Sequence, residues 1–425
     1  MPQVVFLSLF LGLVTGIQSV DLQVGSAVKS IRIELGGREV ARMEKAPWSA
    51  KVDFGRALTP AELTAIAYDA SGKEIARTSQ LINLSRPPAE MEIVIRSESG
   101  QPVEAELIGR HRIHKPPTNG KLFIDGIPVK VGRDFRARLP QINWSRPHLV
   151  SAELEFEDGE VARRDVAIQA GFSGSTGSEL APMLVTANPD KQPDNLEGCF
   201  SAGGAPLRAT AIEKSDAFVV MVKDAGARPR LLPAAESRLD ADTAERILWP
   251  VPRPINAPGE PTAIAFPQSV NHGKVATVSW LLTQRLSPVP SASEPRQFTD
   301  AVAVAAMGAL QRGRRRAVVL LLSKTPDRSL YAPLAVRPYL EETGVPLFVW
   351  SADGPRPDLT GVWGPIDDIS TAAGLEAAIA RLNNALMQQR IVWVAADPLT
   401  VLRAEGTRGC GLTPVAHRRS LQPSP

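Results

Sequence analysis

The stretch Asp216-Ala-Phe-Val-Val-Met-Val-Lys-Asp-Ala-Gly-Ala227 decides how the C-terminal half of the chain is read. Its unbroken apolar run fits a strand buried on both faces, as in a parallel sheet. A loop opens directly behind it at 223–227, on the carboxyl-end edge where open α/β sheets bind ligands. Further apolar runs at 275–282, 317–322, 346–350 and 391–395 read as companion strands. Helical patterns lie between them. Thr299 is placed to cap a helix over 300–311 with Val302, Ala306, Ala309 and Leu310 on one face. A second helix over 371–389 carries Leu375, Ile379, Leu382 and Leu386 as a stripe, and a third over 330–343 contains Pro338, which predicts a kink. Strands alternating with helices predict a doubly wound α/β sheet, with the 183–187 and 205–212 segments as lead-in strands.

The N-terminal half repeats itself. Ile31-Arg-Ile-Glu-Leu-Gly-Gly-Arg-Glu-Val40, with Val52-Asp-Phe54 after it, is matched by Gly120-Lys-Leu-Phe-Ile-Asp-Gly-Ile-Pro-Val129 and Phe135-Arg-Ala-Arg-Leu139. Both copies end in a hairpin, at Ser71-Gly72 and at Asp158-Gly159. Short alternating strands with regular turns predict two antiparallel β-sandwiches, similar to the immunoglobulin-like modules of bacterial secreted proteins. Neither copy contains a cysteine. His111 and His114, three apart on a strand, face opposite ways and read as isolated surface residues rather than metal ligands. Trp48 and Trp144 read as core, with a sugar-stacking platform the competing reading. Asn83-Leu-Ser85 and Asn143-Trp-Ser145 match the glycosylation pattern and carry no weight.

Charge is balanced, 48 basic against 45 acidic residues in 425. With no long one-signed run, nothing points to nucleic acid. The basic cluster over 312–316 reads as a solvated loop. The apolar block over 4–16 has the length of a signal-peptide core rather than of a membrane span, with Ser19 at a cleavage position. Export to the periplasm, cell surface or medium follows, with an uncleaved anchor as the competing reading. No later segment is apolar enough to cross a membrane. In an exported chain the even pair Cys199 and Cys410 invites a disulfide across the last domain, against two unpaired buried thiols.

The buried strand with its Gly-containing loop is followed by Thr299-Asp-Ala, Arg315-Arg-Ala-Val-Val-Leu-Leu-Leu-Ser323 and Gly344-Val-Pro-Leu-Phe-Val-Trp350. That succession resembles a von Willebrand factor A-type domain. The chain as a whole is similar to the exported A-type-related proteins of Acidobacteria, in which immunoglobulin-like repeats precede such a domain. The layout so implied is a signal peptide over 1–19, sandwiches over 20–90 and 91–170, an A-type-like α/β domain over 171–412, and a disordered tail over 413–425.

In that family an Asp-x-Ser-x-Ser loop, a threonine and a second aspartate hold Mg²⁺, and an acidic residue of the partner completes the shell. Aligned on Gly226, this chain has Lys223 where the first aspartate belongs, Ala225 and Ala227 where the serines belong, and Lys324 in place of the second aspartate. Sliding the register by one makes Asp224 the first ligand, with Gly226 and Arg228 in the serine positions. Thr299 stands near the threonine position but reads as a helix cap. The expectation is a degenerate, metal-free site with no cofactor. Lys223 and Lys324 together could supply the missing positive charge to an acidic partner group; two solvated lysines are the competing reading.

No nucleophile elbow, metalloprotease motif, phosphate loop or Cys–His cluster is present. Asp367-Asp368, beside Ser370-Thr371, reads as favouring a helix start. The sequence therefore predicts a non-enzymatic protein that contacts an unidentified protein partner. A Mg²⁺-dependent adhesion domain and a carbohydrate-binding protein using Trp48, Trp144 or Trp363 are the alternatives.

Overall fold

The structure, a computed structural model, describes residues 4–8, 10, 12–84, 89–98, 101–111, 115–145, 148–157, 159, 161–169, 172–176, 180–188, 195–225, 239, 243–252, 266–270, 278–286, 294–310, 313–322, 324–407 and 409–416. Strand Ala217–Lys223 is buried at every position. It pairs in parallel with Thr243–Leu248 on one side and Arg315–Leu322 on the other. Leu347–Ser351 and Ile366–Asp368 continue the parallel run, and Gln268–Val270 closes the opposite edge antiparallel. Taken in chain order, these six strands lie 3-2-1-4-5-6. That is a doubly wound order, with its switch point between the first and fourth strands.

Both faces of this sheet are covered, which is why its central strands read as continuous apolar runs. On one face Phe218, Val220, Val222, Val318 and Leu320 pack with helices α2 (Phe298–Ala309), α3 (Pro333–Glu342) and α4 (Pro357–Trp363). On the other, Val219, Met221, Val319 and Leu321 pack with α1 (Val278–Thr283) and α5 (Ala372–Gln388). Burying faces of this extent at roughly 25 cal/mol per Å² is the main source of the domain's stability.

The two sandwiches are antiparallel. In the first sandwich, the sheet of Arg38–Met43, Ser30–Leu35, Ala61–Tyr68 and Glu74–Ile82 shares a core with the sheet of Val4–Phe6, Ile17–Val24 and Ser49–Asp53. In the second, Gln101–His111 pairs with Ala89–Glu98 on one side and Arg136–Arg138 on the other. Its other sheet runs Ile127–Val129, Pro117–Ile124, His148–Phe156, Val161–Gln169 and Phe172–Thr176. The internal repeat holds at the level of backbone conformation. Gly36-Gly37 has φ of 58° and 79°, and Asp125-Gly126 has 50° and 80°, the paired left-handed corner of a type I′ hairpin in each copy.

By contacts the chain divides into two units. One joins Met1–Ser85 to Pro182–Trp393 and Leu399–Pro425; the other holds Arg86–Ala181 and Val394–Pro398. Within the first, Tyr339 Oη donates to the Asn83 carbonyl at 3.1 Å and Tyr331 Oη to the Leu13 carbonyl at 3.2 Å. Leu58 of the sandwich joins the core beneath α2 and α3. The first sandwich and the α/β domain are therefore packed together.

Several expectations are corrected. The 1–19 block read as a cleaved leader is built into the first sandwich: Val4–Phe6 pairs antiparallel with Ile17–Val24, and Val4, Phe6 and Val14 lie in its core. The strand expected over 275–282 is helix α1 over its described part, because Val278, Leu281 and Leu282 are spaced to bury one helical face. Strand Gln389–Ala395 belongs to a separate sheet with Ala209–Glu213, Leu180–Ala187 and Leu412–Pro414. That pairing also removes 413–414 from the expected tail, and Phe172–Thr176, expected to open the α/β domain, pairs instead with Val161–Gln169 of the second sandwich. Asp367 and Asp368 lie in a strand rather than at a helix start. Thr371 caps α5, its hydroxyl accepting from the Gly374 amide at 3.1 Å.

The basic cluster is not solvated at Arg315 and Arg316, both buried. Arg315 donates to the carbonyls of Ser215 and Leu386, and Arg316 to those of Gly344 and Thr343. Arg316 thus satisfies carbonyls just past the end of α3, and Arg315 one in the last turn of α5, the groups that helices leave unpaired. Cys199 and Cys410 are joined in a disulfide with Cα atoms 5.7 Å apart. It sits beside the ladder of Phe200–Ala202 and Ala404–Gly406, so bond and ladder close the domain's two ends on each other.

Candidate functional site

The switch point brings together the ends of the first and fourth strands of the parallel sheet, the place where ligands bind in open α/β sheets. Lys223 closes the first strand. Strand alternation turns its side chain toward the α1 face, where the ammonium meets the carboxyl end of that helix. It donates to the carbonyls of Leu281 at 3.1 Å, Leu282 at 2.5 Å and Gln284 at 2.9 Å. It also lies 5.5 Å from the Trp249 ring centre. Only 1% of Lys223 is exposed. Burial, with Arg285 adding repulsion, pushes its pKa down to about 8.

Asp224, the next residue, turns the other way and is 3% exposed. Its carboxylate accepts from Thr325 Oγ1 at 2.7 Å and lies 3.5 Å from Nε of Arg296. Arg296 is 1% exposed. Its backbone is fastened on both sides, N–H to the Pro326 carbonyl at 2.9 Å and carbonyl to the Arg328 N–H at 2.7 Å. Ala225 joins the core against α1 and α5. Ala227, Gly226 and Arg228 lie outside the described residues.

Thr299 is not the helix cap. It sits inside the first turn of α2, and its hydroxyl donates to the carboxylate of Asp327. Asp327 is the capping group, accepting the amides of Phe298 at 3.1 Å and Thr299 at 3.3 Å from another loop. Negative charge there complements the exposed amides and dipole of the helix start. Asp300 returns the exchange: its buried carboxylate accepts the amides of Leu330 at 2.8 Å and Tyr331 at 2.9 Å. The loop after the fourth strand and the start of α2 therefore hold each other in place.

Lys324 does not converge with Lys223. Its side chain is 79% exposed and its ammonium lies 3.7 Å from Asp353. That pair stands on the lip of a cavity of about 520 Å³ over the carboxyl ends of the fourth and fifth strands. Phe298, Leu322, Leu359 and Trp363 wall the cavity, and Arg356 stands with Lys324 and Asp353 at its mouth.

The metal shell that the family resemblance implies does not fit these residues. Lys223 is spent on α1, Asp224 faces a guanidinium, and Asp327 and Asp300 are spent on backbone amides. Mg²⁺ needs about six oxygen donors in near-octahedral array. Among the described residues no three His, Cys, Asp or Glu side chains are grouped to hold a metal.

The sequence reading missed Arg296, Thr325, Asp327 and the cavity. None carries a local motif, since each acts on a residue in a distant segment.

Among the described residues the sandwiches show no comparable group. His148 is buried, Nδ1 lying 2.6 Å from Asp125 and Nε2 3.0 Å from the Asn143 carbonyl, and it packs edge-on against buried Trp144. Trp144 is therefore core, not a sugar platform, and Trp48 is partly buried against the first core. His111 is buried against Phe156 rather than set on the surface, and His114 lies outside the described residues.

No family model matches the chain. No curated protein matches it either. Among solved structures, it is similar to the fibronectin(III)-like modules of Clostridium thermocellum CbhA at 14% identity and a TM-score of 0.17, covering 40% of this chain and 94% of that one. It is similar to the central fibronectin-III array of RIM-binding protein at 11% identity and a TM-score of 0.24, covering 47% and 82%. A third similarity, at 12% identity and a TM-score of 0.15, is to Bacteroides ovatus SGBP-B in complex with a mixed-linkage heptasaccharide, covering 49% and 58%. Among the described residues no helix is long and apolar enough to cross a membrane.

Proposed function

We propose that this chain is an exported, non-enzymatic interaction protein whose α/β domain, of von Willebrand A-type character, presents its carboxyl-edge cavity to a protein partner. The observation that carries this reading is how the polar groups at the switch point are used. Catalysis needs a nucleophile or a proton-carrying group free to meet substrate. Here Lys223, Asp224, Thr299, Asp300 and Asp327 all engage the protein's own helix ends, amides and counter-charges. What faces outward is an apolar hollow with a charged lip, the composition of a recognition pocket. The 3-2-1-4-5-6 sheet with helices on both faces supports the A-type reading. The Cys199–Cys410 disulfide supports export, because such bonds persist in oxidising compartments.

The test is selection of a displayed random-peptide library on the full chain, followed by binding of the enriched peptide to Lys324→Glu and Trp363→Ala. We expect both to weaken binding by about tenfold or more. Peptides that bind both variants as well as wild type would remove the cavity from the account.

A carbohydrate ligand is the second reading, favoured by Trp363 in the cavity wall. Binding on a glycan array that disappears in Trp363→Ala, with no peptide enriched, would replace the first reading by this one.

A further inference from the structure

We propose that Arg296 is the resident cation of the switch-point crevice, so that this edge of the domain works without a divalent ion. A carboxylate buried as deeply as Asp224 must be neutralised. A metal or a side-chain cation can do this, and the guanidinium of Arg296 already lies 3.5 Å away.

Three observations make Arg296 a built part of the crevice rather than a passing side chain. It is 1% exposed, so its charge is withheld from solvent. Its backbone is tied to Pro326 and Arg328 on both sides. The segment it is tied to also supplies Thr325, whose hydroxyl donates to the same carboxylate. Arg296 and Thr325 therefore hold the loop after the first strand to the loop after the fourth.

A divalent ion entering here would have to share Asp224 with a guanidinium at contact distance, where like charges repel strongly in a buried site. The nearby carboxylates cannot replace it, since Asp327 closes the start of α2 and Asp300 holds the amides of Leu330 and Tyr331. A metal-bridged partner carboxylate is thereby excluded, and recognition falls to the neighbouring cavity. This last step rests on the function proposed above; the ion pair itself does not.

The experiment is thermal melting of the full chain in EDTA, in Mg²⁺ and in Mn²⁺, with a double-mutant cycle over Asp224→Leu and Arg296→Met. A ligand bound only by the native state raises the melting temperature. We expect the wild-type temperature to be the same in all three conditions. Each single variant should melt several degrees lower, because it strands a buried charge, and the double variant should lie above the sum of the two losses. A wild-type rise in Mg²⁺ or Mn²⁺ that vanishes in Asp224→Leu would overturn the proposal, and so would additive losses. Neither readout needs a partner. Failure to find a binding peptide would count against the proposed function and leave this inference standing.

Discussion

The carboxamide of Asn83 closes two hydrogen bonds on a single residue, Val14. Its Oδ1 accepts the Val14 amide at 2.7 Å, and its Nδ2 donates to the Val14 carbonyl at 3.0 Å. Nδ2 also reaches the Thr59 carbonyl at 3.1 Å, and Asn83 itself holds a left-handed φ of 57°. Asparagine tolerates that conformation, and its amide mimics the backbone of a missing strand neighbour. The apolar N-terminal segment is thus held as part of the fold. Asn83→Ala should cost about 2–4 kcal/mol from two buried hydrogen bonds and one half-buried, read by chemical denaturation. A chain begun at residue 20 should lose more, since it lacks Val4–Phe6 and the first three residues of Ile17–Val24; equal stability of the two chains would show that the segment is dispensable.

Reduction of the Cys199–Cys410 bond, 211 residues apart in sequence, frees a very long loop in the unfolded chain. Chain-entropy reasoning gives a loss on the order of 3–5 kcal/mol. The Cys199→Ser, Cys410→Ser variant should show it in denaturant melts, with no further loss on adding reductant.

Lys223 makes stability depend on pH. Its folded-state pKa of about 8 lies below the ordinary lysine value of 10.5, so between those values the unfolded chain binds the extra proton. Stability contributed at this position therefore rises with pH through that window, and below it the cost of burying the charge stands in full. Relative to Lys223→Met, wild type should gain about 2 kcal/mol between about pH 7 and about pH 10. A flat difference across that range would mean the ammonium is stabilised by its three carbonyl acceptors as well as water would stabilise it.

Arg316 joins Gly344 and Thr343 at the end of α3 from inside the core, and burial lowers its pKa to about 10. Arg316→Ala should cost about 3–5 kcal/mol, since two carbonyls lose their donor and a cavity opens. Arg316→Lys should recover part of this through one donor, but not the paired geometry.

The double winding was legible because burial on both faces leaves a continuous apolar strand, as at Phe218 to Val222. The stripe of Leu375, Ile379, Leu382 and Leu386 was legible for the converse reason, a helix long enough to show its period. Helix α1 was not, because six residues hold too few turns to separate a helix from a buried strand. The N-terminal block has the composition of a leader; pairing with Ile17–Val24 makes it a strand, and Gln80, Asn83 and Tyr331, far along the chain, hold its continuation. At the switch point the resemblance to the A-type family predicted a site lacking that family's ligands at Lys223, Ala225, Ala227 and Lys324. That Arg296 meets Asp224, and that Asp327 caps a helix begun in another segment, are long-range facts with no local pattern to announce them.

The central claim is that the cavity beside Lys324 and Trp363 recognises a partner without a divalent ion. The most direct measurement is the affinity of a selected peptide for wild type and for Leu359→Arg, each with and without EDTA. Leu359 is a partly buried wall residue, so the substitution fills the hollow with a charge and spares the main core. The account predicts that EDTA changes nothing and that Leu359→Arg weakens binding by about tenfold or more at an unchanged melting temperature. Binding abolished by EDTA, or untouched by Leu359→Arg, would contradict it.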